Sequence, residues 1–186
     1  MNPKLTQKII FSLFFLATLA VILLVGSVIV IIAIKGFPGI SWEFLSRMPS
    51  NGMRSGGIFP AIIGTVYLVV ATIIFALPIG VLSAVYLVEY SSENVLTRLI
   101  KLAIINLAGV PSIVYGLFGL GIFVLLLGFG ASILSGALTL AIMILPVIIT
   151  ASKEALESVP KSYREVSLSL GATKWQTALK VVLPAA

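Results

Sequence analysis

The chain contains no cysteine, no histidine and no aspartate; all six of its acidic residues are glutamate. Without cysteine there is neither a disulfide framework nor a thiolate metal site. Without histidine and aspartate, imidazole metal sites, Ser-His-Asp triads and Walker-B-type Mg²⁺ ligands are all excluded. No Gly-x-x-x-x-Gly-Lys-Ser/Thr phosphate loop is present, so if ATP drives this protein another subunit supplies the motor. No catalytic residue, metal or cofactor is therefore expected. Charge is scarce too: 10% of the residues are charged, against about 25% in a soluble domain. Hydrophobic residues make up 60% of the chain, and the mean hydropathy is +1.21. A water-soluble fold of this size could not enclose so much apolar surface, so its solvent is lipid.

The apolar residues fall into long uncharged runs. Ile9–Ile34 exceeds the roughly 20 residues a bilayer crossing needs and is too long for the core of a signal peptide. A loop from Gly36 to Gly57 follows, punctuated by Gly, Pro, Ser and Asn, with Trp42 and Phe44 suited to a membrane interface. The second run, Ile58–Val88, contains Pro78, and a kink or break is expected near Ala76–Gly80. Glu89–Lys101 reads as a short polar connector. The uncharged stretch beyond it suits two helices, about Leu102–Leu127 and Ala131–Ala151, turning at Gly128-Phe129-Gly130. The expected fold is all-α, a polytopic transmembrane helical bundle with four spans, an N-terminal span and loop over residues 1–56 and the main transmembrane domain over 57–186.

Charge sets the orientation. With the N-terminus in the cytoplasm, the inner segments hold Lys4, Lys8, Arg98, Lys101, Lys153, Lys161, Arg164, Lys174 and Lys180, and the outer ones only Lys35, Arg47 and Arg54. Nine against three obeys the positive-inside rule. That rule also accounts for the net charge of +6 without nucleic acid as a partner. No charge falls in the expected bilayer core, which argues against a voltage sensor or proton relay.

After the fourth run the composition changes. Ser158-Val159-Pro160 reads as a helix start, and Tyr163, Val166, Leu168 and Leu170 lie among Lys161, Arg164, Glu165 and Ser167 as on a helix with one apolar face. Gly171 is placed to be a left-handed C-cap. Thr173 is placed to cap a second helix through Trp175, Leu179 and Val182. A helix, a glycine turn and a second helix between two spans make a compact knob, suited equally to lying on the membrane lipid or to filling a groove in a partner.

In this segment Glu165-Val166-Ser167, three residues, Gly171, nine residues, Val181, one residue and Leu183-Pro184 resemble the EAA loop of ATP-binding-cassette importer permeases. That loop reads Glu-Ala-Ala, three residues, Gly, nine residues, Ile, one residue, Leu-Pro. The spacing matches in full; Val166, Ser167 and Val181 are small or β-branched departures. Gly56-Gly57-Ile58-Phe59-Pro60-Ala61-Ile62-Ile63-Gly64-Thr65, Leu77-Pro78-Ile79-Gly80, Tyr86-Leu87-Val88-Glu89-Tyr90 and Gly109-Val110-Pro111-Ser112-Ile113-Val114-Tyr115-Gly116-Leu117-Phe118-Gly119 are similar to phosphate importer permeases, more to the PstA type than to the PstC type.

The resemblance implies a type I importer permease fold in a bacterial or archaeal plasma membrane, with an EAA-like cytoplasmic loop over 153–184. It further implies a second, PstC-type permease subunit, a dimer of ATP-binding subunits and an extracytoplasmic phosphate-binding protein. Glu165 to Gly171 would be the coupling helix. Thr65, Pro111, Ser112 and Tyr115 are candidates for the phosphate path, since hydroxyls and freed amides at membrane depth face protein or a watery cavity. Packing within and between helices is the alternative role for those hydroxyls. The family would have six spans, so these 186 residues are expected to be a C-terminally truncated permease unable to transport alone. Rival readings are a permease for phosphonate, sulfate or molybdate, a membrane-embedded enzyme, and a non-transport membrane module with a basic surface helix.

Because the chain has no cysteine, single cysteines report topology cleanly. Ser50→Cys should react with an impermeant thiol reagent in intact cells, whereas Ser92→Cys and Thr173→Cys should react only after permeabilisation. Labelling of Thr173→Cys in intact cells would invert the orientation.

Overall fold

A computed structural model describes residues 3–186; Met1 and Asn2, at the head of the expected segment 1–56, lie outside the described residues. The chain divides into two compact units, residues 1–62 and 63–186. The first contains α1 (Pro3–Gly36), a short helix α2 (Trp42–Ser46) and a hairpin of β1 (Pro49–Ser50) with β2 (Ser55–Gly56). Helix α1 has 34 residues, about 51 Å at 1.5 Å per residue, and its apolar side chains from Ile9 to Ile34 are exposed, as a lipid-facing span requires.

The loop after it is folded. Ser41 caps α2 by accepting from the Phe44 amide, and Arg47 pairs with Glu43 one turn back. Asn51, Gly52 and Met53 turn the hairpin with positive φ. Amides of Gly57, Ile58 and Phe59 return to the carbonyls of Met48, Phe44 and Arg47, which tie the hairpin to α2. Gly56 and Gly57 have to be glycine: a Cβ on either would strike the Met48 or Phe44 carbonyl.

The second unit is built on α3 (Phe59–Val85), α4 (Val95–Ala108), α5 (Ser112–Gly119), α6 (Ile133–Ser158), α7 (Lys161–Ser169), α8 (Lys174–Thr177) and α9 (Leu183–Ala185). Wider π-type turns extend α3 through Tyr90, α5 through Leu126 and α8 through Val182. α3 passes through Pro78 without a break. The proline removes a single ladder bond, and the turns on both sides keep theirs.

The third expected span is not one helix. α4 and α5 meet at 99° across Gly109-Val110-Pro111. Pro111 lacks a donor, its ring crowds the turn before it, and it drives Val110 out of the helical region. The connector is also shorter than the expected Glu89–Lys101, because Asn94 accepts from the Thr97 amide and starts α4 there. Three helices, beginning at Gln7, Phe59 and Ile133, are long and apolar enough to cross a membrane; the bent pair makes a fourth crossing if taken as one span. α6 overruns its expected end at Ala151 by two turns. Lys153 and Glu157, 3.4 Å apart at i,i+4, keep their charges on one face of the extension.

Small residues set the helix spacing. A Cβ on Gly119 would collide with the Thr139 side chain of α6, and one on Gly80 with Ile148. Nothing lies within 4 Å of a Cβ on Gly116, one turn from Gly119. Gly119→Ala should therefore destabilise the chain by about 1–3 kcal/mol through overpacking. Gly116→Ala should be neutral, or stabilising by up to about 1 kcal/mol. Thermal unfolding of both variants in detergent checks the contrast.

Candidate coupling site

The residues singled out at the C-terminal end assemble into one node. α7 ends in a complete Schellman turn: Gly171 has φ +84°, its amide donates to Leu168 O at 3.0 Å, and the Ala172 amide donates to Ser167 O at 3.2 Å. Thr173 then opens α8 with a capping box. Its hydroxyl accepts from the Gln176 amide at 3.2 Å, and Gln176 Oε1 accepts from the Thr173 amide at 2.9 Å. Ser167 and Thr177, both buried, share a hydrogen bond of 2.9 Å between the two helices. The pair of caps with this hydroxyl bridge sets the angle at which α8 leaves the glycine turn.

The knob rests on the C-terminal ends of α3 and α6. Ala84 and Val85 of α3, Leu156 of α6, Val159, and Ala178 and Val182 beyond α8 form one buried apolar cluster. Val182 is fully buried, whereas its neighbour Val181 is only half-buried and Leu183 and Pro184 are exposed. On the outer side, Glu165 and Val166 are exposed, and the Glu165 carboxylate makes no ion pair among the described residues. Beside them Ser162, Tyr163, Val166, Ser167, Leu170, Ala172 and Val181 line an open apolar hollow of about 440 Å³. Tyr163 and Leu170 present most of their surface there.

One interaction escaped the sequence. Arg164 of α7 directs Nε and Nη2 at the same carboxylate oxygen of Glu89, each at 2.8 Å. Its Nη1 donates to Val159 O and Nη2 also to Leu156 O, both at 2.8 Å. The two side chains are only 18% and 12% exposed. Helix ends leave their last carbonyls unpaired, and the guanidinium answers two of them at the end of α6 while closing on the end of α3. A signal was there to be read: Glu89 ends a long uncharged run, and an acid at such a place requires a partner. Which cation supplies it, 75 positions away, no local pattern tells.

The candidate path residues fall on two elements, α3 and the start of α5. Thr65 lies in the second turn of α3, and Ser112 is the exposed first residue of α5 after Pro111. Tyr115 spends its hydroxyl on Leu107 O at 2.9 Å, bridging the bend. It also lines an apolar hollow of about 340 Å³ with residues such as Val114, Phe118 and Thr139; neither Thr65 nor Ser112 borders it.

Long apolar helices, close helix pairs without ionisable groups at their centres, and a capped helix pair beyond α6 make a polytopic membrane protein. The profile of the binding-protein-dependent transport system inner membrane component family matches residues 76–186, and the chain belongs to that family. It is 35% identical over all 186 residues to the "Probable ABC transporter permease protein YqgI" of Bacillus subtilis (strain 168), covering 63% of that relative. It is 39% identical over 132 residues to the phosphate transport system permease protein PstA 1 of Mycobacterium tuberculosis (strain CDC 1551 / Oshkosh), which is 71% of this chain and 43% of the relative. Against the phosphate transport system permease protein PstA of Pasteurella multocida (strain Pm70) it is 34% identical over 174 residues, 93% of this chain and 61% of the relative. The chain thus spans between two fifths and two thirds of the length of these curated relatives. No solved structure matches it.

The caps make a local prediction. Gly171→Val forces a branched side chain into the left-handed region at about 1–2 kcal/mol, and Thr173→Ala removes an N-cap worth about 1 kcal/mol. Hydrogen exchange at the amides of α8 should accelerate in both variants, with α1 unchanged as internal control.

Proposed function

We propose that this chain is a permease subunit of an ATP-driven phosphate importer, with its N-terminus in the cytoplasm. In this reading α7, the Gly171 turn and α8 are the coupling element that engages an ATP-binding subunit. The observation that carries the reading is the knob itself: Glu165, Val166, Gly171, Leu183 and Pro184 stand at importer-loop spacing, and the folded segment turns Tyr163, Val166 and Leu170 outward around an open apolar hollow. An apolar patch on a basic, membrane-proximal helix is a surface for a protein groove. Ser167, at a position the motif gives to a small residue, is buried against Thr177 and shapes the knob. Phosphate is chosen as substrate because relatives named as phosphate permeases align with 71% and 93% of the chain.

The partners follow from the same reading: a dimer of ATP-binding subunits inside, a second PstC-type permease subunit beside it, and an extracytoplasmic phosphate-binding protein. Thr65, Pro111, Ser112 and Tyr115 remain path candidates on the strength of their chemistry, with the Tyr115 hydroxyl also bridging the bend.

The test is labelled phosphate uptake at low external phosphate by cells whose own phosphate importer is deleted and which carry the full-length protein with its partners. Uptake should be restored and depend on ATP. In the same cells Gly171→Val should keep membrane insertion but lower uptake about tenfold, the effect of misaligning the coupled helices by 1–2 kcal/mol. Glu165→Lys should weaken co-purification of the ATP-binding subunit. Restored uptake of sulfate, molybdate or phosphonate instead of phosphate would replace the substrate; normal uptake by both variants would dismiss the coupling element.

A further inference from the structure

We propose that Glu89 and Arg164 are positioning residues: their ion pair makes α3 part of the moving body, so that a displacement of α7 carries α3 and α6 together. The inference rests on the reading that α7 receives the push of an ATP-binding subunit, and it adds where that push goes.

Chain connectivity alone joins α7 to α6, through the short turn at Val159-Pro160, and to α8 through Gly171. Neither joint reaches α3. The Arg164 guanidinium does, with a hydrogen bond from Nε and an ion-pair contact from Nη2 on one Glu89 oxygen, and two further bonds on the Leu156 and Val159 carbonyls. A planar fork with donors in fixed directions holds three groups in one plane; an ammonium on a flexible stem would hold them singly. The apolar cluster of Ala84, Val85, Leu156, Val159, Ala178 and Val182 lies among the same elements. Apolar contacts resist separation but tolerate sliding, whereas charge-assisted hydrogen bonds of 2.8 Å fix direction. At 12–18% exposure the pair is shielded from salt and water. It therefore acts as a fixed tie that stays closed while the rigid body moves.

The cysteine-free background allows a direct test. In the full-length chain assembled with its partners in proteoliposomes, spin labels on Tyr86→Cys, at the inner end of α3, and Ser169→Cys, at the end of α7, should report one narrow separation, the same with and without ATP. Adding Glu89→Gln should broaden that separation; an unchanged distribution overturns the tie. Transport supplies the second readout, ATP hydrolysed per solute imported. Glu89→Gln and Arg164→Lys should raise this ratio about tenfold, with hydrolysis retained, and Glu89→Asp should recover part of the loss. If uptake and hydrolysis fall together with the ratio unchanged, the pair only holds the fold and the proposal fails. Should the Glu89→Gln assembly not form, the same labels on the Glu89→Asp chain decide: a broadened separation supports the tie and an unchanged one refutes it. The unsubstituted assembly separates the two readings, because its failure to import phosphate removes the substrate assignment while leaving the label separation to judge the tie.

Discussion

In hydrocarbon a backbone amide or carbonyl without a partner costs several kcal/mol, and the second unit is shaped by how that demand is met wherever a helix stops. At the α4–α5 bend Tyr115 donates to Leu107 O. At the turn before α6 the Phe129 amide reaches Phe123 O and the Ser135 hydroxyl reaches Gly130 O. At the end of α6 Arg164 takes the carbonyls of Leu156 and Val159, and at the end of α7 the Schellman bonds close the ladder. Hydroxyls inside the spans, such as Thr72, Ser83 and Thr150, bond back to the carbonyl four residues earlier. Among the described residues no buried side-chain nitrogen or oxygen is left without a partner.

Two of these solutions also join helices. The guanidinium that satisfies α6 is the group that reaches α3, and the glycine that ends α7 is the pivot from which α8 departs. Each of these breaks brings its own donors, so the donors become fixtures of the joint. A permease that changes shape needs joints with defined geometry, and the polar groups required for stability provide them.

Much of the surface of the described chain is apolar; side chains such as Phe15, Ile74, Leu117 and Leu126 are mostly exposed. Lipid accounts for such a surface on a spanning helix. The close helix pairs depend instead on small residues, as where Gly119 meets Thr139 and Gly80 meets Ile148, because van der Waals fit must replace the hydrophobic effect inside a membrane.

By itself the sequence determined the solvent, the three long spans and the local chemistry of the knob. Uncharged runs, the left-handed Gly171 and the Thr173 cap are properties of neighbouring residues, and neighbours are what a sequence displays. It misjudged the third span because hydropathy records apolar content without direction: Leu102–Leu127 reads as one rod, although Gly109, Val110 and Pro111 turn it through 99°. It stopped α6 early because charges look like loop until an i,i+4 pair places them on a single face. Only the tertiary structure joined Glu89 to Arg164. The 75 positions separating them are crossed by folding three helices onto one apolar cluster, and the match of a part-buried carboxylate to one particular guanidinium is decided there by distance and desolvation.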